Sequence, residues 1–180
     1  MQENRVTVLV LPVSTQDHIQ GSKTAMTTLV EYGDYQSPEC GQAHQIIQSI
    51  QQQLGDQLCF VFRHFPRTDL HCYAQHAAEA AEAAGNQGRF WEMHDCLFSC
   101  QSFFDNGTLV ECAAALCLDI PQFLRELAED VHIKRVQQDF DSGVRSGVQK
   151  TPTFFINGLS YDDACEYSLL LAALTAPPER

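Results

Sequence analysis

The sequence has no apolar run approaching the ~20 residues that a membrane span requires. It also lacks the features of a leader. Met1-Gln2-Glu3-Asn4-Arg5 carries one base and one acid, and the apolar run Val6 to Val13 is short, broken by Thr7 and Pro12, and followed by no small-residue cleavage site. That run reads as an edge strand or an arm, and the expectation is a cytoplasmic protein with no membrane partner. Basic residues are scarce: 11 Lys+Arg stand against 23 Asp+Glu, for a net charge of -12. Such a field repels phosphate backbones and anionic lipid heads, so nucleic acid is not an expected partner. Internal repeats and long linkers are absent. So is any Cys-x-x-Cys pair, although the chain has eight cysteines.

What is present suffices for one domain with a real core, since 44% of the 180 residues are hydrophobic. In a reducing cytosol the cysteines are expected to be mostly free thiols, and their even number carries little weight. Residues 1–25 read as an N-terminal arm with a turn at Gly21-Ser22, and residues 26–180 as a single domain.

Thr27 to Tyr32 is β-rich and runs into Gly33-Asp34. From Cys40 to Leu54, Ile46, Ile50 and Leu54 recur at i, i+4 and i+8, which predicts a helix with one buried stripe, stopped by Gly55. Pro38 suits its first turn, where no amide hydrogen bond is lost. Leu58 to Phe62 is nearly all apolar, as in a strand covered on both faces. This β-α-β order implies parallel strands with a right-handed crossover. A helical block follows over about 69–145. It includes the alanine-rich Ala77 to Ala84 closed by Gly85, and a capping box Thr108-x-x-Glu111 ahead of Cys112 to Leu118. Asp119 and Pro121 open a further helix, and a last one runs from about Val131 towards Arg145. Thr153 to Ile156, Asn157-Gly158 and Leu159 to Tyr161 form a strong hairpin signal, because Asn-Gly supports a type I′ turn. Asp162-Asp163 is expected to cap a closing helix that ends near Leu174.

This order and four separated segments resemble the DsbA-like family of thioredoxin-fold disulfide oxidoreductases. Val30 to Gln36 leads into Ser37-Pro38-Glu39-Cys40-Gly41, where that family has Cys-Pro-x-Cys. Phe62-Arg63-His64-Phe65-Pro66 resembles the end of the next strand. Ala77 to Ala81 with Phe90-Trp91-Glu92-Met93-His94 resembles the helical insertion, and Gly147 to Gly158 resembles the cis-proline loop and hairpin. The resemblance spans roughly residues 17–175. It implies an α/β fold, the thioredoxin fold with a helical insertion between a β-α-β half and a β-β-α half. It further implies a cis Thr151-Pro152 bond in a loop that faces the motif and presents backbone to an extended peptide. By this resemblance Ser37 marks the attacking position, Cys40 is the more buried resolving thiol, and Pro38, Glu39, Thr151 and Pro152 meet the substrate. Partners would be protein or small-molecule thiols and disulfides, with no cofactor and no metal.

Dithiol exchange needs two sulfurs: one thiolate attacks a disulfide and the other resolves the mixed disulfide. The first normally sits at a helix N-terminus, where amides and the macrodipole favour the thiolate. A hydroxyl at Ser37 cannot form a disulfide, so the family's dithiol cycle should fail in this chain. Cys40 alone is a poor nucleophile, because burial and the adjacent Glu39 both raise a thiol's pKa. Three accounts of Ser37 remain open. It is an engineered exchange of the kind made to trap a mixed disulfide, or a natural serine in a degenerate or peptide-binding protein. In the third, its hydroxyl donates to the thiolate of glutathione, as in the kappa-class glutathione transferases that Ser-Pro also resembles.

Among the remaining residues, Cys72 lies on a loop expected beside the motif and is the candidate alternative partner of Cys40. A free cysteine is the simpler reading, since disulfide geometry is demanding. Cys96 and Cys100 fall at i, i+4 on a helix, and Cys112 with Cys117 forms a looser pair. Buried free thiols are the simplest reading and a redox-sensing pair at Cys96 and Cys100 the alternative, whereas zinc sites usually show tighter pairs in turns. His44, one helical turn after Cys40, is a candidate auxiliary group, with a surface histidine as the plainer reading.

Overall fold

The computed structural model describes residues 7–101 and 104–177. Residues 1–6 of the expected arm, and the last three residues of the expected domain, lie outside the described residues. The chain order is β1 (His18–Gly21), β2 (Thr27–Gly33), α1 (Pro38–Leu54), β3 (Leu58–His64), α2 (Ala74–Asn86), α3 (Phe90–Ser99), α4 (Asn106–Ala115), α5 (Ile120–Ala128), α6 (Ile133–Arg145), β4 (Thr153–Ile156), β5 (Leu159–Tyr161) and α7 (Tyr167–Thr175). A short 3-10 turn, Gly55–Gln57, links α1 to β3.

One five-stranded sheet runs in the order β1-β3-β2-β4-β5. β2 and β3 are parallel, with Leu29 beside Phe60 and Gly33 beside His64. The β1–β3, β2–β4 and β4–β5 pairs are antiparallel. This is the expected mixed α/β architecture. All seven residues of β3 are buried, which explains its nearly unbroken apolar sequence. The Asn157-Gly158 turn has positive φ at both residues, 50° and 84°, as a type I′ turn demands.

Strand alternation divides the core into two clusters. Leu29, Phe60, Phe62 and Phe154 face α1, α7 and the helices α2–α5. Val30, Tyr32, Cys59, Val61 and Phe155 face the other way, towards Phe140 of α6 and the N-terminal residues Leu9 and Val13.

Of the segment expected as an N-terminal arm, the described residues pack on the body of the domain. His18–Gly21 is an edge strand on β3. Just before it, Asp17 takes two hydrogen bonds, of 2.8 and 3.1 Å, from the buried Arg63 guanidinium, which also donates to the carbonyls of Leu11 and Pro12. A second buried group ties β1 and β3 to the insertion. Glu82 of α2 accepts from His18 and His64, each at 2.9 Å. Burial works against its charge, but those two bonds hold its carboxyl well below the usual range.

Several helix ends differ from expectation. α4 starts earlier, because Asp105 rather than Thr108 is its cap, accepting from the Thr108 N–H at 2.8 Å. Gly85 lies inside α2, which continues to Asn86. α7 starts at Tyr167 after Glu166, so Asp162-Asp163 does not cap it. Asp119 does cap α5 as expected, accepting from the Gln122 N–H at 2.8 Å.

Gly143 of α6 lets that helix approach the sheet. A Cβ there would come within 2.7 Å of the Phe65 ring and 3.0 Å of the Tyr32 ring. Alanine is the better helix former by ~1 kcal/mol, but over-packing typically costs ~1–3 kcal/mol. The over-packing term is expected to win, so Gly143→Ala should lower stability by up to ~2 kcal/mol, read as a lower midpoint in urea unfolding.

Candidate functional site

Because β2 and β3 are parallel, their C-terminal ends share one edge of the sheet, and the chain leaving each must pass the other. Asp34, the first residue after β2, is 2% exposed and takes hydrogen bonds from both loops. Its carboxylate accepts from the Gln36 N–H at 2.8 Å, the Arg67 N–H at 2.9 Å and the His71 ring at 2.8 Å. The Tyr73 N–H donates to the Gln36 side chain at 2.6 Å. The expectation that the loop after β3 lies beside the Ser37 motif therefore holds.

Ser37 is the N-cap of α1. Its Oγ accepts from the Cys40 N–H at 3.3 Å and donates to Glu39 at 3.0 Å, with the Thr151 carbonyl 3.5 Å away. Pro38 occupies the first turn, as its missing N–H allows. The motif is thus joined to the Thr151-Pro152 loop, whose peptide bond is cis. On the other side, the Gln101 side-chain amide donates to the carbonyls of Tyr35 at 2.7 Å and Ser37 at 2.9 Å.

Among the described residues the Ser37 hydroxyl bonds no group able to take its proton. Hydrogen bonds from its own backbone N–H and from Ser37 hold the exposed Glu39 carboxyl below the usual range, so Glu39 is a weak base. Below the motif, Cys40 is fully buried, and its sulfur accepts from the Asp34 N–H at 3.4 Å. Burial, and next the Glu31 charge, push its thiol far above the ordinary range.

Glu31 is the group that reading the sequence missed. It lies on the β2 face shared with Leu29, under α1, and is 1% exposed. One of its carboxyl oxygens has no hydrogen-bond partner among the described residues. Burial pushes its pKa up to about 8, so at neutral pH it is largely protonated, next to a thiol that feels its charge when it ionises. The sequence does contain a signal: an acid at a core-facing position of a strand otherwise apolar on that face.

A groove of about 440 Å³ runs beside the motif, lined by Glu39, Lys150, Thr151, Pro152, Tyr161 and Cys165 among others. Burial, with the Glu31 charge, pushes the Cys165 thiol up to about 11. Cys165 is the cysteine that lines this groove, and the buried Cys40 is not part of its wall. Cys72 is exposed and free, and no disulfide joins it to Cys40. A larger hollow of about 810 Å³, lined by Arg63, Arg135 and Asp17, contains none of the motif residues.

His44 turns from Cys40 towards α3. It pairs with Asp95 at 3.3 Å and stacks on Phe98 with ring centroids 4.7 Å apart. Burial lowers its pKa, against the pull of Asp95. The cysteine pairs suggested by sequence spacing are also corrected. Cys96 is disulfide-bonded to Cys112, with Cα atoms 6.0 Å apart, and Cys117 is free and exposed. The bond joins α3 to α4, which pack against each other. Three groups bring possible metal-ligating atoms within 4.8 Å of one another: Cys96, Cys100 and Cys112; His18, His64 and Glu82; and His44, His94 and Asp95. None of them includes Ser37 or Cys40.

Replacing Glu31 tests its protonation. Its folded pKa lies above its unfolded value, so its contribution to stability is complete at low pH and lost as pH rises from about 4.5 to about 8. The neutral Glu31→Gln variant should gain stability on wild type between pH 5 and pH 8 by ~2–4 kcal/mol. Denaturant unfolding at the two pH values measures it, and an unchanged difference would show that Glu31 is not held protonated.

The family model described as thioredoxin matches residues 13–176. The protein named Na(+)/H(+) antiporter NhaA 1 of Salinispora arenicola is 42% identical over 169 residues, which are 93% of this chain and 26% of that protein. The antiporter NhaA of Herminiimonas arsenicoxydans is 38% identical over 170 residues, 94% of this chain and 27% of that one. The chain thus spans about a quarter of the length of these curated relatives. Among solved structures, oxidised BdbD from Bacillus subtilis superposes with a TM-score of 0.80 at 23% identity, covering 93% of this chain and 96% of that one. Wolbachia pipientis alpha-DsbA1 gives 0.76 at 19% identity, covering 92% and 94%. The fold is therefore that of these DsbA-like neighbours, and the chain belongs to the thioredoxin family.

Proposed function

We propose that this chain is a thiol–disulfide exchange domain of the DsbA-like kind, acting on protein or small-molecule disulfides, in which serine stands at the attacking position. The observation that carries this reading is the position of the Ser37 hydroxyl. It caps the 17-residue helix α1, faces the carbonyl before the cis proline, and lies three residues ahead of a buried thiol. A sulfur there would receive the Cys40 N–H and the positive end of the helix dipole, both of which favour a thiolate. Cys40 would resolve the mixed disulfide, and Glu31 would accept the Cys40 proton in the fraction of molecules where it is ionised, a fraction that grows as pH rises towards 8. With serine, the first step has no nucleophile. The groove beside Pro152 still provides a place for an extended peptide, so binding without turnover is the part of the function this chain retains.

The geometry gives less support to a glutathione-binding transferase. The Ser37 proton points at the Glu39 carboxylate, which would repel an incoming thiolate. Ion transport, named for the antiporter relatives, we assign to the part of those proteins outside the matched quarter. Among the described residues no helix is long and apolar enough to cross a membrane.

The test compares wild type with Ser37→Cys in insulin reduction by dithiothreitol. Wild type should stay at background and the variant should exceed it, because only the variant has a thiolate to attack the disulfide. Both proteins also go into a glutathione conjugation assay. Conjugation by wild type that the variant loses would replace this reading with the transferase, and inactivity of both in both assays would favour a binding module.

A further inference from the structure

A second set of sulfurs lies in the helical insertion, away from the Ser37 motif's own thiol. The Cys96–Cys112 disulfide joins α3 to α4, and the Cys100 sulfur lies 3.9 Å from that of Cys112. Cys112 is buried, at 2% exposure, whereas Cys96 and Cys100 are both half-buried. A structural disulfide in a closed core has no third thiol against it. Here one bonded sulfur touches a free thiol, and two of the three cysteines reach solvent.

We propose that Cys96, Cys100 and Cys112 form a second thiol–disulfide exchange centre, in which Cys100 competes with Cys96 for the buried Cys112 sulfur. Cys100 gives its proton to water and its thiolate attacks Cys112. The Cys100–Cys112 bond forms as the Cys96–Cys112 bond breaks, and Cys96 leaves as a thiolate that takes up a proton. The rearrangement consumes no oxidant. External thiols enter at the exposed partner. A peptide or small-molecule thiolate attacks Cys96 and releases Cys112. A second such thiolate then displaces Cys96, leaving an external disulfide and two protein thiols, so two electrons pass to the protein. Neither step uses Ser37 or Cys40, and the centre stands whether or not the reading of that motif holds.

The position of Cys100 suits a mobile partner. It is the C-cap of α3, where its N–H is shared between the Cys96 and Leu97 carbonyls at 3.1 and 3.3 Å. The next residue, Gln101, is the one whose amide holds the Tyr35 and Ser37 carbonyls. A change of partner at Cys100 therefore acts one residue from a contact that shapes the Ser37 loop.

The test maps linkages in the full chain. Wild type is held in a buffer of reduced and oxidised glutathione, quenched in acid, alkylated with N-ethylmaleimide and digested after aromatic and acidic residues. Those cuts, at Phe98 and Glu111 among others, separate the three cysteines. The expected result is two species, a 96–112 link with Cys100 alkylated and a 100–112 link with Cys96 alkylated. Cys96→Ser should form the 100–112 link in the same buffer, with circular dichroism showing that its helices are retained. A wild-type digest containing only the 96–112 link after hours of equilibration would overturn the proposal. So would a natively folded Cys96→Ser protein with Cys100 and Cys112 both alkylated.

Discussion

The Asp34 carboxylate is the contact on which the rest of the site depends. Two loops leave the same sheet edge with several backbone N–H groups that no strand or helix can satisfy. One buried carboxylate accepts from the Gln36 and Arg67 amides and from the His71 ring. Leaving even one such donor buried without a partner costs ~1–3 kcal/mol. The same residue's N–H reaches the Cys40 sulfur. Asp34 therefore sets the distance between the motif and the loop after β3, and with it how deeply the first turn of α1 sits in the core. Ser37, Cys40 and the Thr151 carbonyl take their mutual positions from that constraint.

Serine at position 37 separates two roles that a cysteine would combine. As an N-cap, an oxygen is the better group, and Ser is among the preferred residues for it. As a nucleophile it has no base, since Glu39 is kept ionised and the nearby histidines are engaged elsewhere. His71 bonds Asp34, and His44 bonds Asp95. The local structure is thus well satisfied as it stands, while the buried Glu31 lies beneath it with one oxygen that has no partner among the described residues.

The parts of the fold legible in the sequence are those fixed by local chemistry. Asn157-Gly158 dictates its turn, Pro38 and Gly55 bracket α1, and the apolar run at Leu58 announces a covered strand. The parts that were not legible depend on distant partners. Asp105 rather than Thr108 is the cap because the helix already begins at Asn106, which puts Thr108 in its first turn with its N–H on Asp105. Cys96 bonds Cys112 across two helices, whereas spacing along one helix suggested Cys100. His44 points to α3 because Asp95 and the Phe98 ring receive it there. Residues 18–21 looked like part of an arm because four residues are too few to show alternation, and their strand exists only through β3. At the site, Ser37, Cys40 and Pro152 were found through motif, and Glu31, Asp34 and Gln101 only through contact.

The Arg63 clasp has a mechanical consequence. Its guanidinium grips the two oxygens of Asp17 and the carbonyls of Leu11 and Pro12 from inside the sheet. Tension applied through the N-terminal segment would load these bonds together before it reached β1. A two-pronged carboxylate contact of this geometry resists sideways displacement better than a single bond. Edge strands are the usual place where a sheet begins to peel. Here a pull along the N-terminal segment first meets the backbone bonds of Thr7 and Leu9 to Ser160 and Gly158 at the β5 edge, and then the buried Arg63 of β3, so two separate strands share the load before it reaches β1.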